Sequence, residues 1–462
     1  MWKERLRNRV FLFFLLFLAV PSAAAQTIAG GKIVDEVRWS GEVVLDRPLQ
    51  VEPGATLVLE PGTRVRIQSP GLSFHVKGRL VAQGTQEMPV RFEAPPDWEG
   101  ILFLESGDLS SLEYMEFKGV KSALRFIAAS AQIRHLTFRD CQIAVQLLKQ
   151  SDSRIEGNRF VDNEIALKNE MKSHPLIRGN RFVGNRNAGI VAGNNSRGLI
   201  EENLFENNRN GIVLTGPYED SIQKNKFISN GAAIYCSKSQ ATPEIANNLF
   251  EKNDVGVYNN FFAFPSLVDN RFVNNVTAVS NDRFGSARIL HNLFSGNEKA
   301  LSNNRKSQAV VEKNVFTKNA LVFYSNYSSY PVVNENIFSD NKVVGYLDIH
   351  MSADFEAREG SKSIVREESK AFKTQNPMLE QAPEQFEDFL DLSQNWWGED
   401  TARLESAGPD ANLDLFFDRH DMPEVEYEGY EGKRYALDRV VYAPWLEAPV
   451  PDAGPRAPSA AP

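Results

Sequence analysis

Apolar and polar positions alternate in short bursts along most of this chain, and the bursts recur at a fixed interval. From residue 155 to residue 341 the pattern reads I-x-x-N-x-F-x-x-N-x-x-[GA]-[IV]. The leading Asn falls at Asn158, Asn180, Asn203, Asn225, Asn248, Asn270, Asn292, Asn314 and Asn336, in steps of 22 or 23 residues. An aliphatic residue stands three places before each, from Ile155 to Val333, and a Phe two places after, from Phe160 to Phe338. A small and then an apolar residue follow the second Asn, as in Gly211-Ile212 and Ala278-Val279. Apolar spots this short and this close cannot form helical stripes. They predict several short strands per repeat, each sending one or two side chains inward. Self-similarity at this period signals a solenoid.

A leucine-rich repeat shares the period but needs apolar residues five and eight places before the Asn. Here the minus-five positions include Ser153, Pro175, Gly198, Asp220, Pro243 and Pro265, which suit turns. A right-handed parallel β-helix remains: an all-β solenoid of about 14 coils with N- and C-terminal caps and one charged insertion. Coils then stack ~4.8 Å apart, so the Phe column forms an interior spine. The Asn columns read as structural, through tolerance of left-handed corners and an amide ladder.

Upstream, "LEYMEFKGV" and "IRHLTFRDC" place Phe117 and Phe138 in the same register. Further upstream, "VEPGATLVLEPGTRVRI" and "VKGRLVAQGTQEMPVRFEAPPDWEGILF" resemble the opening coils of exported bacterial parallel β-helix repeat proteins, which are similar in fold to pectin lyases. The resemblance runs over roughly residues 40–446 by the same repeat criterion. It implies the fold and leaves function open, because that fold hosts lyases, hydrolases, epimerases, adhesins and scaffolds. "QNWWG" at 394–398 also resembles the family. With Asn395 in the first Asn column, Trp397 falls in the Phe column.

Six segments follow. Residues 1–25 read as a signal peptide, with a basic start, an apolar run from Val10 to Val20 and a small-residue cleavage site after Ala25. Residues 26–112 form the N-terminal cap and first coils, and 113–349 the main coils. Residues 350–388 are a charged insertion, read as a flexible loop or partly helical flap. Residues 389–446 are the last coil and C-terminal cap, and 447–462 a disordered Pro/Ala tail. The expected address is the periplasm or the cell exterior.

Composition narrows the chemistry. A formal net charge of -9 disfavours nucleic acid as partner. Cys141 and Cys236 lie four coil steps apart, on the order of 19 Å, too far for a disulfide. Acids on neighbouring coils would be needed to hold Ca²⁺ or to work as acid and base on a polysaccharide. Four places past the leading Asn only Asp162 and Asp340 are acidic, and six places past only Glu164, Asp254 and Glu298. Neither column puts two acids on adjacent coils. The alginate-epimerase Asp-Pro-His-Asp and polygalacturonase Gly-His-Gly patterns are absent. The six His residues share no column on adjacent coils. A β-helix family involved in copper-site maturation of nitrous oxide reductase has a similar fold, but no Met, Cys or His cluster here suggests copper.

Two surface features stand out. Arg159, Arg181, Arg186 and Arg209 form outward columns that suit an anionic polymer, or simply a solvated face. An aromatic strip after the third strand carries Tyr258, Phe261, Phe262, Phe284, Tyr324, Tyr327 and Tyr330, with Phe264 and Asn259, Asn260, Asn281, Asn303 and Asn326 interleaved. Aromatic faces beside amides suit sugar rings, unless the insertion folds over them. The sequence thus predicts an exported, non-catalytic glycan-binding or cell-envelope scaffold protein. The alternative is a polysaccharide lyase or related carbohydrate-active enzyme. The expected partner is a polysaccharide or envelope component, with no cofactor, no metal, no catalytic residue assigned and no transmembrane segment after signal removal.

Overall fold

The computed structural model describes residues 27–238, 243–359 and 387–456. The signal peptide, residues 360–386 of the insertion and residues 457–462 of the tail lie outside the described residues. Within them the chain is a parallel β-helix with three strands per coil. Face one is a 14-stranded sheet carrying the aliphatic column. Face two carries the Phe column, and face three the small-apolar pair. Faces two and three join at the N-terminal end through strand Glu42–Val51, which pairs with both Arg64–Ile67 and Phe74–Val76. Equivalent residues sit in register, as in Ile155 with Ile177, Phe160 with Phe182 and Leu167 with Ile190.

Stacking explains the repeat residue by residue. From Phe138 to Phe316, successive ring centroids lie 4.6–5.0 Å apart and within 9° of parallel. The Gly/Ala column is small because the spine leaves no room. A Cβ on Gly211 would sit 2.5 Å from the Ala233 carbonyl oxygen and 3.1 Å from the Phe227 ring.

Both Asn columns are buried ladders. In the first, Asn180 Oδ1 accepts from the Asn158 backbone N–H and from Asn158 Nδ2, each at 2.9 Å. Asn180 Nδ2 in turn donates to Asn203 Oδ1 at 3.0 Å and to the Ile155 carbonyl at 2.7 Å. The second ladder, from Asn163 to Asn341, repeats this. One expectation is corrected. The left-handed residue at each corner is not the Asn but the one before it: Glu202 (φ 56°), Lys224 (55°), Asn207 (54°), Ser229 (54°). Amide hydrogen bonding therefore selects Asn, and the turn residue beside it is free to vary.

The last coil leaves the helix and returns. Asn395 continues the first ladder, its Oδ1 accepting the Asn336 N–H at 2.8 Å. Trp397 lies under Phe338 at 4.9 Å and is fully buried. Phe416–Phe417 adds a strand to face three beside Val343–Leu347. Phe389–Asp391 pairs with Arg439–Val441, and Glu424–Val425 with Tyr435–Ala436. These elements cover the open end of the stack, which a solenoid otherwise leaves exposed to edge pairing.

The start of the insertion is docked. Helix α1 (Ala353–Glu359) begins at Ser352, whose Oγ accepts the Phe355 N–H at 3.1 Å. Asp354 and Glu356 occupy its first turn and Arg358 its last, matching the helix dipole. Phe355 packs edge-on against Tyr427, Tyr430 and Tyr435. Asp438, with no exposed surface, accepts the Ala353 N–H at 2.8 Å and the Tyr330 hydroxyl at 2.7 Å.

Burial outweighs these hydrogen bonds and raises the Asp438 carboxyl to about 6, with Arg419 pulling down and Asp388 pushing up. A free carboxyl titrates near ~3.9. Between the two values the folded chain holds more protons than the unfolded one. This group's contribution to stability therefore falls as pH rises from 4 to 6, and is flat above. Asp438→Asn removes that dependence. Relative to wild type, we expect the variant to gain on the order of 2–3 kcal/mol between pH 4 and pH 7 in urea titrations. A difference that does not change with pH would show that Asp438 ionises normally.

Residues 447–456 run back along the corner between faces one and two instead of projecting as a tail. The Leu446 N–H donates to the Asn395 carbonyl and the Gly454 N–H to the Lys313 carbonyl, both at 2.9 Å. His291 Nδ1 lies 2.7 Å from the Asp452 carbonyl oxygen. The Arg456 guanidinium forks onto Asp269 at 2.8 and 3.0 Å. Both cysteines are buried free thiols. Among the described residues no helix is long and apolar enough to cross a membrane.

Candidate functional site on the third face

Face three places one residue per coil outward between two inward ones. Ten places past the leading Asn, Tyr235, Tyr258, Ser280, Ser302, Tyr324 and Tyr346 stack in register, and Phe417 extends the column. Their neighbours Ile234 and Cys236 are buried. Two residues further on, Asn260, Asp282, Asn304, Asn326 and Asp348 form a second outward row beside the tyrosines. Asn259, Asn281 and Asn303, which the sequence reading set on the surface, point inward. Strand alternation makes them a third, short ladder, with Asn259 Nδ2 donating to Asn281 Oδ1 at 2.9 Å and Asn281 to Asn303 at 3.0 Å.

The two outward rows are bonded to each other. The Tyr258 hydroxyl donates to Asp282 Oδ2 at 3.1 Å, and the Tyr324 hydroxyl to Asp348 Oδ2 at 2.8 Å. Partial burial, then the Asp282 charge, pushes the Tyr258 phenol up to about 12. Burial and the bond to Asp348 raise Tyr324 as well. Asn260 Nδ2 donates to the Tyr235 hydroxyl at 3.2 Å. Lys299 Nζ lies 4.6 Å above the Tyr324 ring. Asn260 Oδ1, Asp282 Oδ1 and Asn326 Oδ1 are buried with no hydrogen-bond partner among the described residues. Each such acceptor costs ~1–3 kcal/mol.

The strip read from sequence divides. Tyr258 and Tyr324 stand in the outward column. Phe261 and Tyr327 lie on the adjoining corner, where Tyr327 is 45% exposed. Phe262 and Phe264 are buried. Phe262 stacks on the half-buried Phe284 at 5.0 Å. Tyr330 is held beneath the C-terminal cap by Asp438. His350 is sandwiched between Tyr327 at 4.2 Å and Tyr427 at 5.6 Å, so the start of the insertion closes this end of the strip. Sequence reasoning missed Tyr235 and Tyr346, although both stand ten places past a ladder Asn.

The arginine columns are exposed. Arg159 pairs in register with Arg181, placing like charges on adjacent coils. Arg181 reaches Glu206 at 3.9 Å, and Arg186 reaches Glu164 at 3.4 Å. Arg209 lies on the next coil with no ion pair among the described residues.

Among the described residues no three His, Cys, Asp or Glu side chains converge as a metal site. Burial pushes the Cys141 thiol up to about 11 and the Cys236 thiol up to about 12, so neither is a ready thiolate ligand.

A family model described as "Periplasmic copper-binding protein (NosD)" matches residues 119–285, less than half of the chain. No curated protein matches. Among solved structures, a tailspike protein of an E. coli bacteriophage in complex with a pentasaccharide is 11% identical, with a TM-score of 0.43, covering 69% of each chain. The periplasmic alginate epimerase AlgG is 15% identical, with a TM-score of 0.37, over 64% of this chain and 77% of its own. The A-module of an Azotobacter vinelandii mannuronan C-5 epimerase is 13% identical, with a TM-score of 0.30, over 68% of this chain and 87% of its own.

Proposed function

We propose that this is a periplasmic β-helix protein that holds a glycan polymer along its third face without transforming it. The observation that carries this reading is the outward tyrosine column beside a row of amides and carboxylates. Tyrosine rings offer apolar faces to sugar rings, and polar side chains beside them suit hydroxyl-rich ligands. The coil spacing of ~4.8 Å is close to the length of one sugar in an extended chain, so the column suits a polymer. The absence of catalysis is supported by the spacing of the acids. Asp282 and Asp348 lie three coils apart, about 14 Å at strand spacing, beyond the carboxyl separations that serve glycoside hydrolysis. The copper-binding description of the family model finds no matching cluster of three or more His, Cys, Asp or Glu side chains among the described residues.

A polysaccharide panel tests the reading, scored for both binding and unsaturated product. We expect binding without product. Changing Tyr258 and Tyr327 together to Ala should weaken it at least tenfold with the far-UV spectrum unchanged. Binding equal to wild type would remove the third face as the site.

A further inference from the structure

The corner that borders the tyrosine column carries an unusual sequence of side chains. On five successive coils its first residue is Lys238, Phe261, Arg283, Arg305 and Tyr327, with φ of 53°, 49°, 48°, 49° and 48°. Left-handed backbone is strained for bulky side chains, and Gly or Asn would fill these positions more cheaply. Two earlier coils do this at the same corner, with Asn194 and Gly216, while the coils before them carry Glu105, Ala128, Lys149 and Met171 there. At the later coils the sequence instead places only long cations and aromatics, which directs attention to what they present.

The coils stay in register there. The Lys238 N–H donates to the Phe261 carbonyl at 3.0 Å, and the Lys306 N–H to the Tyr327 carbonyl at 3.0 Å. Successive side chains therefore project at coil spacing along one ridge. Lys238 Nζ lies 5.6 Å from the Phe261 ring centroid. Arg305, half exposed, is steadied by Asp282 at 3.6 Å. Arg283 is exposed. The ridge is cationic on a chain whose net charge is -9, so its sign runs against the background.

We infer that the polymer held on the third face is an acidic polysaccharide of the uronate class, with Lys238, Arg283 and Arg305 meeting its carboxylates. This rests on the glycan-binding reading above and adds the charge of the ligand. One uronate per ~5 Å presents carboxylates at nearly the interval of the coils. The intervening Phe261 and Tyr327 faces take sugar rings. Attraction between exposed charges steers the polymer and is screened by salt.

The test uses the mature protein with polygalacturonate and with dextran, a neutral polymer, at low and high salt. The variant Lys238→Gln with Arg283→Gln removes both charges while keeping polar side chains, and leaves the Arg305–Asp282 pair alone. We expect wild type to prefer polygalacturonate, with affinity falling as salt rises. We expect the variant to bind polygalacturonate at least tenfold more weakly with unchanged thermal melting. Wild type binding dextran as well as polygalacturonate, with no salt dependence, would overturn the acidic-ligand inference and leave the glycan reading in place. Wild type binding neither polymer, nor any other in the panel, would overturn both. A variant as tight as wild type would remove the ridge from the interaction.

Discussion

Phe205→Ala lowers the unfolding free energy by about 3–5 kcal/mol, whereas Leu204→Ala, one residue away, lowers it by less than about 1. The two sit on the same three-residue strand, Leu204–Glu206. Phe205 has no exposed surface and is sandwiched between Phe182 at 4.7 Å and Phe227 at 4.8 Å. Removing its ring opens a hole in the middle of the spine. The rings above and below cannot close over it, because each is fixed by its own coil's backbone. Leu204 faces outward between Arg181 and Lys226 in the sheet, and its loss exposes nothing new. Denaturant titration separates the two outcomes. Equal effects would mean that Phe205 does not occupy an interior column distinct from Leu204.

Asn225→Leu should cost at least about 3 kcal/mol, although the new side chain is apolar, similar in shape and buried. Asn225 Oδ1 accepts the backbone N–H and the Nδ2 of Asn203, both at 3.0 Å. Its own Nδ2 donates to the Ile200 carbonyl at 2.9 Å and to Asn248 Oδ1 at 3.1 Å. Leucine strands these groups away from water on the coils to either side. The preceding residue behaves oppositely. Lys224 has φ 55° and an exposed side chain, and Lys224→Asn should cause no loss, since Asn adopts the left-handed region readily. If both changes were mild, the ladder would be incidental to stability.

The contrast between those neighbours marks what the sequence made legible. Any side chain that stacks on copies of itself leaves a column that can be counted, so the Phe spine, both Asn ladders and the return of Asn395 and Trp397 were readable. Which residue takes the left-handed backbone was not, because exposed corners hold Glu, Lys, Ser, Asn or Gly with no fixed period. The third-face site was half legible. Tyr258, Tyr324, Phe261 and Tyr327 followed from spacing, but Asn259, Asn281 and Asn303 needed the two-residue alternation of a strand to be carried one step further. Phe262 needed the fold of the corner. Tyr330, His350 and Asp438 meet through elements that do not repeat. Contacts of that kind leave no period to find.

The C-terminal strap changes how such a rod comes apart. In a stack whose units touch only their nearest neighbours, unfolding can begin at an end and unzip one coil at a time. Residues 446–456 bridge the coil of Asn395 to that of Asp269, four steps back and about 19 Å along the axis. Fraying of the last coil must therefore release the Arg456 fork as well, so the final coils behave as one cooperative block instead of a row of independent ones. Cleavage of the chain after Trp445 would restore the unzipping and leave the earlier coils standing.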